Sequence, residues 1–211
     1  MHPSFVIDLD GTLLQTNTFR DYLSFCGKSA LHLLRFDLVF YISFWVLMRK
    51  IRAVSHSAMK RRLMQRTYRF MLGKGRLDAF VEAELLLVNA QVKEELERHR
   101  NRGHLLVLAT AAPAFYAKPI ADNLRLDATL ATLLPSDVVI GEWHENVGEM
   151  KAATLQSFLH QHHTDIDAII TDHADDLPIL KLHPEGPNWL VTPSPQTEAI
   201  LKKENITYTI L

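Results

Sequence analysis

Phe5-Val-Ile-Asp8-Leu-Asp10-Gly-Thr-Leu13 is the stretch whose reading decides the fold. A short apolar run stops at an aspartate and meets a glycine three positions later. This is the pattern of a buried parallel strand that leaves the sheet through a tight turn. The pattern recurs. Leu105-Leu-Val-Leu-Ala109 follows Gly103 and stops at Thr110, Ala168-Ile-Ile170 stops at Thr171-Asp172, and Trp189-Leu-Val-Thr192 stops at Pro193. Helical periodicity fills the gaps over residues 113–124, over 150–162 with Ala152, Leu155 and Leu159 on one face, and over 175–182. Strands alternating with helices predict an α/β fold whose core is a Rossmann-like parallel sheet.

The interval between the first two strands breaks this alternation. It contains no convincing strand, and its clearest pattern is helical: Val81, Leu85, Val88, Val92 and Leu96. An all-helical insertion over residues 15–99 is expected, jointed near Gly73-Lys-Gly75, with a core formed by 1–14 and 100–211. Residues 137–148 read as an irregular or hairpin excursion.

Composition agrees with a folded globular chain: 211 residues, 47% hydrophobic and 22% charged. A single cysteine, Cys26, excludes an internal disulfide and a cysteine-rich zinc site, so a reducing, cytoplasmic setting is expected. The first residues carry no basic leader. The net charge of -1 hides a segregation. Residues 38–77 hold ten Lys/Arg and no acid, which leaves 13 basic against 24 acidic residues elsewhere.

Ligands of open parallel sheets bind beyond the carboxyl ends of the strands. Every chemistry-bearing candidate sits at such an end: Asp8 and Asp10, Thr110, then Asp172, Asp175 and Asp176. Converging carboxylates repel one another unless a cation joins them. Few carboxylates with oxygen-only ligation suit Mg2+, which keeps its other positions for water and phosphate.

These residues resemble the haloacid dehalogenase-like (HAD) superfamily through four ordered motifs: Asp8-Leu-Asp-Gly-Thr-Leu13, Leu106-Val-Leu-Ala-Thr110, Lys151, and Thr171-Asp-His-Ala-Asp-Asp-Leu-Pro178. The helical insertion is similar to the cap of the phosphoserine phosphatase-like branch. The resemblance implies a hydrolase in which Asp8 attacks phosphorus and forms an aspartyl phosphate, while Asp10 exchanges protons with the leaving oxygen and the hydrolytic water. It implies Mg2+ held by Asp8, the Asp10 carbonyl and Asp172, and a phosphoryl group met by Thr110, Ala111 and Lys151. Asp176 resembles the second acid of the fourth motif. Asp175 reads either as part of the metal shell or as a helix N-terminal charge, and His173 as a substrate contact or a loop histidine.

Departures from the family pattern bear on the substrate. Thr171 stands where glycine is usual, and Ala111-Ala112 replaces a glycine pair, which is expected to narrow the pocket. Asn17 stands where phosphoserine phosphatases place an acid to hold the substrate amine. His160-Gln-His-His163 reads as a solvated helix end rather than a metal site, and Cys26 as a buried apolar residue. Residues 38–48 form an uncharged aromatic run followed by Arg49-Lys-Ile-Arg52, too short to span a bilayer. It reads as a core helix of the cap or as an interfacial helix at an anionic membrane surface, an arrangement similar to phosphatidylglycerophosphate phosphatases of the C type and to HAD domains attached to membrane prenyltransferases.

The expected function is a magnesium-dependent phosphomonoesterase acting on a small phosphorylated metabolite. Alternatives are a lipid-headgroup phosphatase peripheral to the inner face of a membrane, and a non-catalytic binding protein on the same fold. No nucleic-acid partner is expected, because no binding motif accompanies the basic charge.

Overall fold

Strand β1 (Ser4–Ile7) lies in the middle of the sheet with all four residues buried. The computed structural model describes residues 2–134 and 143–211. β1 pairs in parallel with β2 (Leu105–Pro113) on one side and with β4 (Ile166–Thr171) on the other. β3 (Ala128–Thr132), β5 (Asn188–Leu190) and β6 (Thr209–Ile210) complete the order β3-β2-β1-β4-β5-β6, and every pairing is parallel. Asp8, Thr110 and Asp172 therefore emerge at one edge of the sheet, as the strand endings predict.

Helices α1 (Thr18–His32), α2 (Phe36–Lys50), α3 (His56–Met71) and α4 (Arg76–Leu85) follow β1. Local chemistry sets their ends. Asn17 caps α1 by accepting from the Arg20 amide, Ser55 caps α3 by accepting from Ala58, and Gly75 enters α4 at φ +68°, where a side chain would be strained. α5 (Ala90–Asn101) belongs to the sheet's surroundings instead. Its His99 ring stacks on Phe5 of β1 at 4.0 Å, so residue 99 lies inside a helix seated on the core.

α6 (Ala114–Asn123) and α7 (Glu149–His162) cover the sheet nearly over the expected spans. The helix expected over 175–182 is instead a 3-10 turn, Ala174–Asp176, followed by the four-residue α8 (Leu177–Leu180). The physical reason lies just beyond: His183-Pro184 ends helical hydrogen bonding because Pro184 has no N–H to give, and Gly186 closes a turn onto His183 instead. α9 (Pro195–Lys203) precedes β6. Residues 137–142 of the expected excursion lie outside the described residues, and 143–148 contain no strand.

One apolar core runs through both parts of the chain, joining Phe5 and Ile7 of the sheet to Tyr22, Met64 and Phe80 of the insertion. Its centre is aromatic. Tyr22 and Phe80 lie 5.5 and 5.4 Å from Tyr116 on α6, and the Tyr22 and Tyr116 hydroxyls find Thr67 and Thr18. Cys26 is fully buried and its thiol is pushed up to about 12 by burial.

Glu84, 3% exposed on α4, is a misfit in this core. Burial, with the charges of Asp21 and Asp10 adding, pushes its carboxyl from 4.5 up to about 7, and among the described residues its Oε2 has no partner. A carboxyl raised on folding costs stability as it ionises. The cost is absent below pH 4.5, grows with pH and is complete above about 7. Glu84→Gln is therefore expected to stabilise the fold at pH 8 by up to about 3 kcal/mol and to change nothing at pH 4, read from urea unfolding at both values.

Candidate active site

A cavity of about 280 Å³ opens beyond the ends of β1, β2 and β4. Every site residue expected from the sequence lines it: Asp8, Asp10, Thr110, Ala111, Lys151, Asp172, His173, Asp175 and Asp176, joined by Asn17 and Val147. These residues converge from positions 8 to 176, which only the parallel strand order can achieve.

Lys151, near the start of α7 and 2% exposed, holds the centre. Its ammonium donates to Asp8 Oδ1 at 2.7 Å and to Asp176 Oδ1 at 2.6 Å. Burial opposes the lysine's charge, but Asp176 and Asp8 more than reverse that, and its pKa lies above the ordinary lysine range. Burial also drives Asp8 up to about 8. Lys151 pulls it back, and Asp176 and Asp172 push it further. Asp172 rises to about 6, first through burial, with His173 opposing and Asp176 adding. One ammonium does not offset this much buried carboxylate, so the cavity favours a further positive charge.

The donors suit a hard cation. Asp8 and Asp172 offer carboxylate oxygens and Asp10 a main-chain carbonyl, while the Asp10 side chain is taken up elsewhere, accepting from the Thr18 amide at 2.7 Å. Burial raises Asp10, and that N–H opposes it. Glycine is required at position 11, directly after Asp10 and against Asp172. Its φ is +77°, and a Cβ there would lie 2.3 Å from Asp172 Oδ2.

The motif ends are tied by hydroxyls. Thr110 Oγ1 accepts from the Ala112 amide at 3.0 Å. Thr171 donates to Asp176 Oδ2 at 2.7 Å, so Asp176 is gripped from both oxygens. Thr171 is fully buried and does not line the cavity: the residue in the glycine position positions Asp176 rather than narrowing the pocket. His173 and Asp175 sit at the exposed rim, where His173 Nδ1 accepts from the Asp175 amide at 3.1 Å.

Three residues at the site were not anticipated. Lys60 of α3, 3% exposed, donates to the Ala111 carbonyl at 2.7 Å and to Glu145 Oε1 at 2.6 Å. Asn146 donates to the carbonyls of Thr110 and Leu130 at 3.1 and 2.9 Å, fixing the end of β2. A signal for Lys60 existed in the sequence. Met59, Leu63, Met64 and Thr67 mark the buried face of α3, and Lys60 lies on it while its neighbours Arg61 and Arg62 do not. His160 and His163 stay at an exposed helix end with rings 6.4 Å apart. Among the described residues, the three side chains that gather as metal-type ligands are His99, His104 and Asp167, at the opposite, amino end of the strands.

A family model described as haloacid dehalogenase-like hydrolase matches residues 5–181. Searches of curated proteins give no match. Among solved structures, a protein of unknown function from Bordetella pertussis Tohama I superposes with a TM-score of 0.74 at 17% identity, covering 99% of this chain and 98% of that one. A HAD family hydrolase from Salmonella enterica serovar Typhi gives 0.64 at 14%, covering 99% and 68%. A phosphoserine phosphatase in a phospho-aspartyl intermediate analogue form gives 0.54 at 15%, covering 100% and 94%. At such identities the likeness is one of fold.

Removing the central ammonium leaves two buried carboxylates facing each other. Lys151→Met is expected to cost about 3–5 kcal/mol of unfolding free energy at pH 7. Adding Asp176→Asn to it should return part of that loss, a non-additivity that a double-mutant cycle measures.

Proposed function

The chain belongs to the haloacid dehalogenase-like hydrolases, and from that premise we propose that it is a magnesium-dependent phosphomonoesterase working through an aspartyl-phosphate intermediate. The observation that carries this reading is the Asp8–Lys151–Asp176 triad at the floor of a cavity that opens at the carboxyl ends of the strands.

In this reading Asp8 Oδ attacks the phosphorus of the ester, forming the acyl phosphate as the ester oxygen leaves. Lys151 offsets the charge that Asp8 and the phosphoryl oxygens bring together. Asp10, whose carboxyl burial shifts upward, gives a proton to the leaving oxygen and then takes one from the water that hydrolyses the acyl phosphate. The Thr18 amide keeps Asp10 turned away from Asp8, which separates acid from nucleophile. Thr110 and the Ala111 backbone receive the phosphoryl oxygens. Asp8, Asp172 and the Asp10 carbonyl would hold Mg2+, whose contribution when bound is to neutralise charge on the transferring group. His173 and Asp175, at the rim, are placed to meet the part of the substrate beyond the phosphate.

The division into a catalytic core, 1–14 and 100–211, and a helical cap, 15–99, is part of this reading, with α5 as the arm by which the cap rests on the sheet. Asn17, where an acid would hold a substrate amine, spends its side-chain oxygen on capping α1. This disfavours phosphoserine and leaves another small phosphorylated molecule as the substrate.

One observation favours a second reading, a phosphatase acting at an anionic membrane surface. Only Leu38 and Ile42 of α2 are buried, while Phe40, Phe44 and Leu47 are 73%, 53% and 55% exposed beside Arg49, Lys50 and Arg52. Among the described residues, no helix is long and apolar enough to cross a membrane. The contact would lie in the plane of the surface, at about 1 kcal/mol for each basic residue brought close to it.

Hydrolysis of p-nitrophenyl phosphate should stop in excess chelator and return with Mg2+. Asp8→Asn should abolish turnover while phosphate binding persists, and Asp10→Asn should slow turnover about a hundredfold or more. Full activity in chelator, or a near-normal rate for Asp8→Asn, overturns the assignment. A folded wild-type protein inert towards a broad panel of phosphate esters favours the non-catalytic reading.

A further inference from the structure

A second concavity, about 620 Å³, lies between α1, α2 and the start of α3. Its walls are Phe19, Leu23, Ile42, Val46 and Met59, and its rim is cationic: Arg20, Arg49 and Lys50. The volume is that of a pocket for a molecule of some tens of atoms. It stands next to the catalytic cavity. Asn17 lines both, and the Phe19 ring at the edge of the groove lies under the Lys60 ammonium, 5.3 Å away, whose other side holds the Ala111 carbonyl of the phosphate site. A single layer of side chains thus separates an apolar trough from the site of phosphoryl transfer.

An apolar wall left in water is costly, and a cationic rim around it is costlier unless an anion arrives. One kind of molecule answers both features and the shared border: an apolar chain with a phosphate at its end. We infer that the groove between α1, α2 and α3 takes the apolar chain of the substrate, so that the enzyme prefers chain-bearing phosphate monoesters to compact polar ones. The inference rests on the phosphatase reading above and names the substrate class of that same site. Charge complementarity decides against an uncharged or cationic occupant, since residues 38–77 carry ten basic residues and no acid. The exposed Phe40, Phe44 and Leu47 extend from the same helix, so the chain can be received from water or from a lipid surface.

The test is a chain-length series. Ethyl, butyl, hexyl, octyl and decyl phosphate, each kept below its micelle concentration, are hydrolysed with Mg2+ present, and kcat/KM is read from phosphate release. Burial of one methylene corresponds to about a threefold to fourfold gain, and a rise of at least twofold per methylene until the groove is filled is expected. Val46→Glu puts a charge into the trough and Ser43→Phe fills it without one. Both positions are exposed, so the fold should tolerate them, and each should cut the decyl-to-ethyl ratio at least tenfold. Two variants of opposite chemistry guard against a fold defect in either.

A flat series from an enzyme that hydrolyses ethyl and p-nitrophenyl phosphate overturns the groove and leaves the phosphatase reading standing. If no ester is hydrolysed, that reading fails, and the groove is judged by binding alone. Calorimetry should then show decylphosphonate binding at least tenfold tighter than ethylphosphonate, and equal affinities overturn it. Decyl phosphate offered free and in phosphatidylglycerol vesicles distinguishes the source. Chain discrimination in either presentation supports the inference, and its absence in both overturns it.

Discussion

Lys151 has its ammonium within 2.7 Å of Asp8 and 2.6 Å of Asp176 in a place almost closed to water. A buried ion pair of this kind returns little net stability, because desolvating three charges costs as much as their attraction gains. What it supplies is position. The ammonium fixes the carboxylate at the end of β1 relative to the turn after β4, and Thr171 and Gly11 hold the same two segments from behind. The raised carboxyls of Asp8 and Asp172 are the energetic residue of that choice: the fold tolerates unmet negative charge in the cavity beyond the strand ends.

The helical insertion is bound to this arrangement at two depths. Deep down, Tyr22, Phe80 and Tyr116 share one aromatic cluster, so α1, α4 and α6 have a common core. At the cavity, Lys60 reaches across to the Ala111 carbonyl, and Glu145 balances it. The cap is therefore joined to the catalytic sheet by packing far from the substrate and by a charge-assisted contact beside it.

What could be read in the sequence follows from this. The strands that carry Asp8, Thr110 and Asp172 at or near their carboxyl ends begin as apolar runs broken by a polar residue, a local pattern, and the site residues inherit their positions from it, although β2 itself continues past Thr110 to Pro113. β3 and β6 carry no such pattern. Ala-Thr-Leu-Ala-Thr is half-buried at one side of the sheet, and β6 is two exposed residues that exist only because β5 is beside them. The expected helix over 175–182 failed because periodicity does not register a proline that withholds a donor two residues beyond its end. Thr171 departs from the expected role for a different reason. Its hydroxyl faces Asp176 rather than the cavity, a direction set by the pairing of β4 and not by any neighbour in the chain. Glu145 and Asn146 act through residues far away in sequence and leave no local trace.

The central place of β1 has a consequence for how the molecule is made. Ser4 pairs with Leu105 on one side and with Ile166 on the other, so its partners are synthesised about 100 and about 160 residues later. At ~5–20 residues per second, the strand waits on the order of five seconds or more for its first neighbour. During that time the residues leaving the ribosome are those of α1 to α4, whose local contacts form quickly and give the strand an apolar surface to rest on. The segment that caps the sheet thus also supplies the strand's first apolar neighbours. The cavity around Asp8 is complete only when the residues from Thr110 to Asp176 have been added.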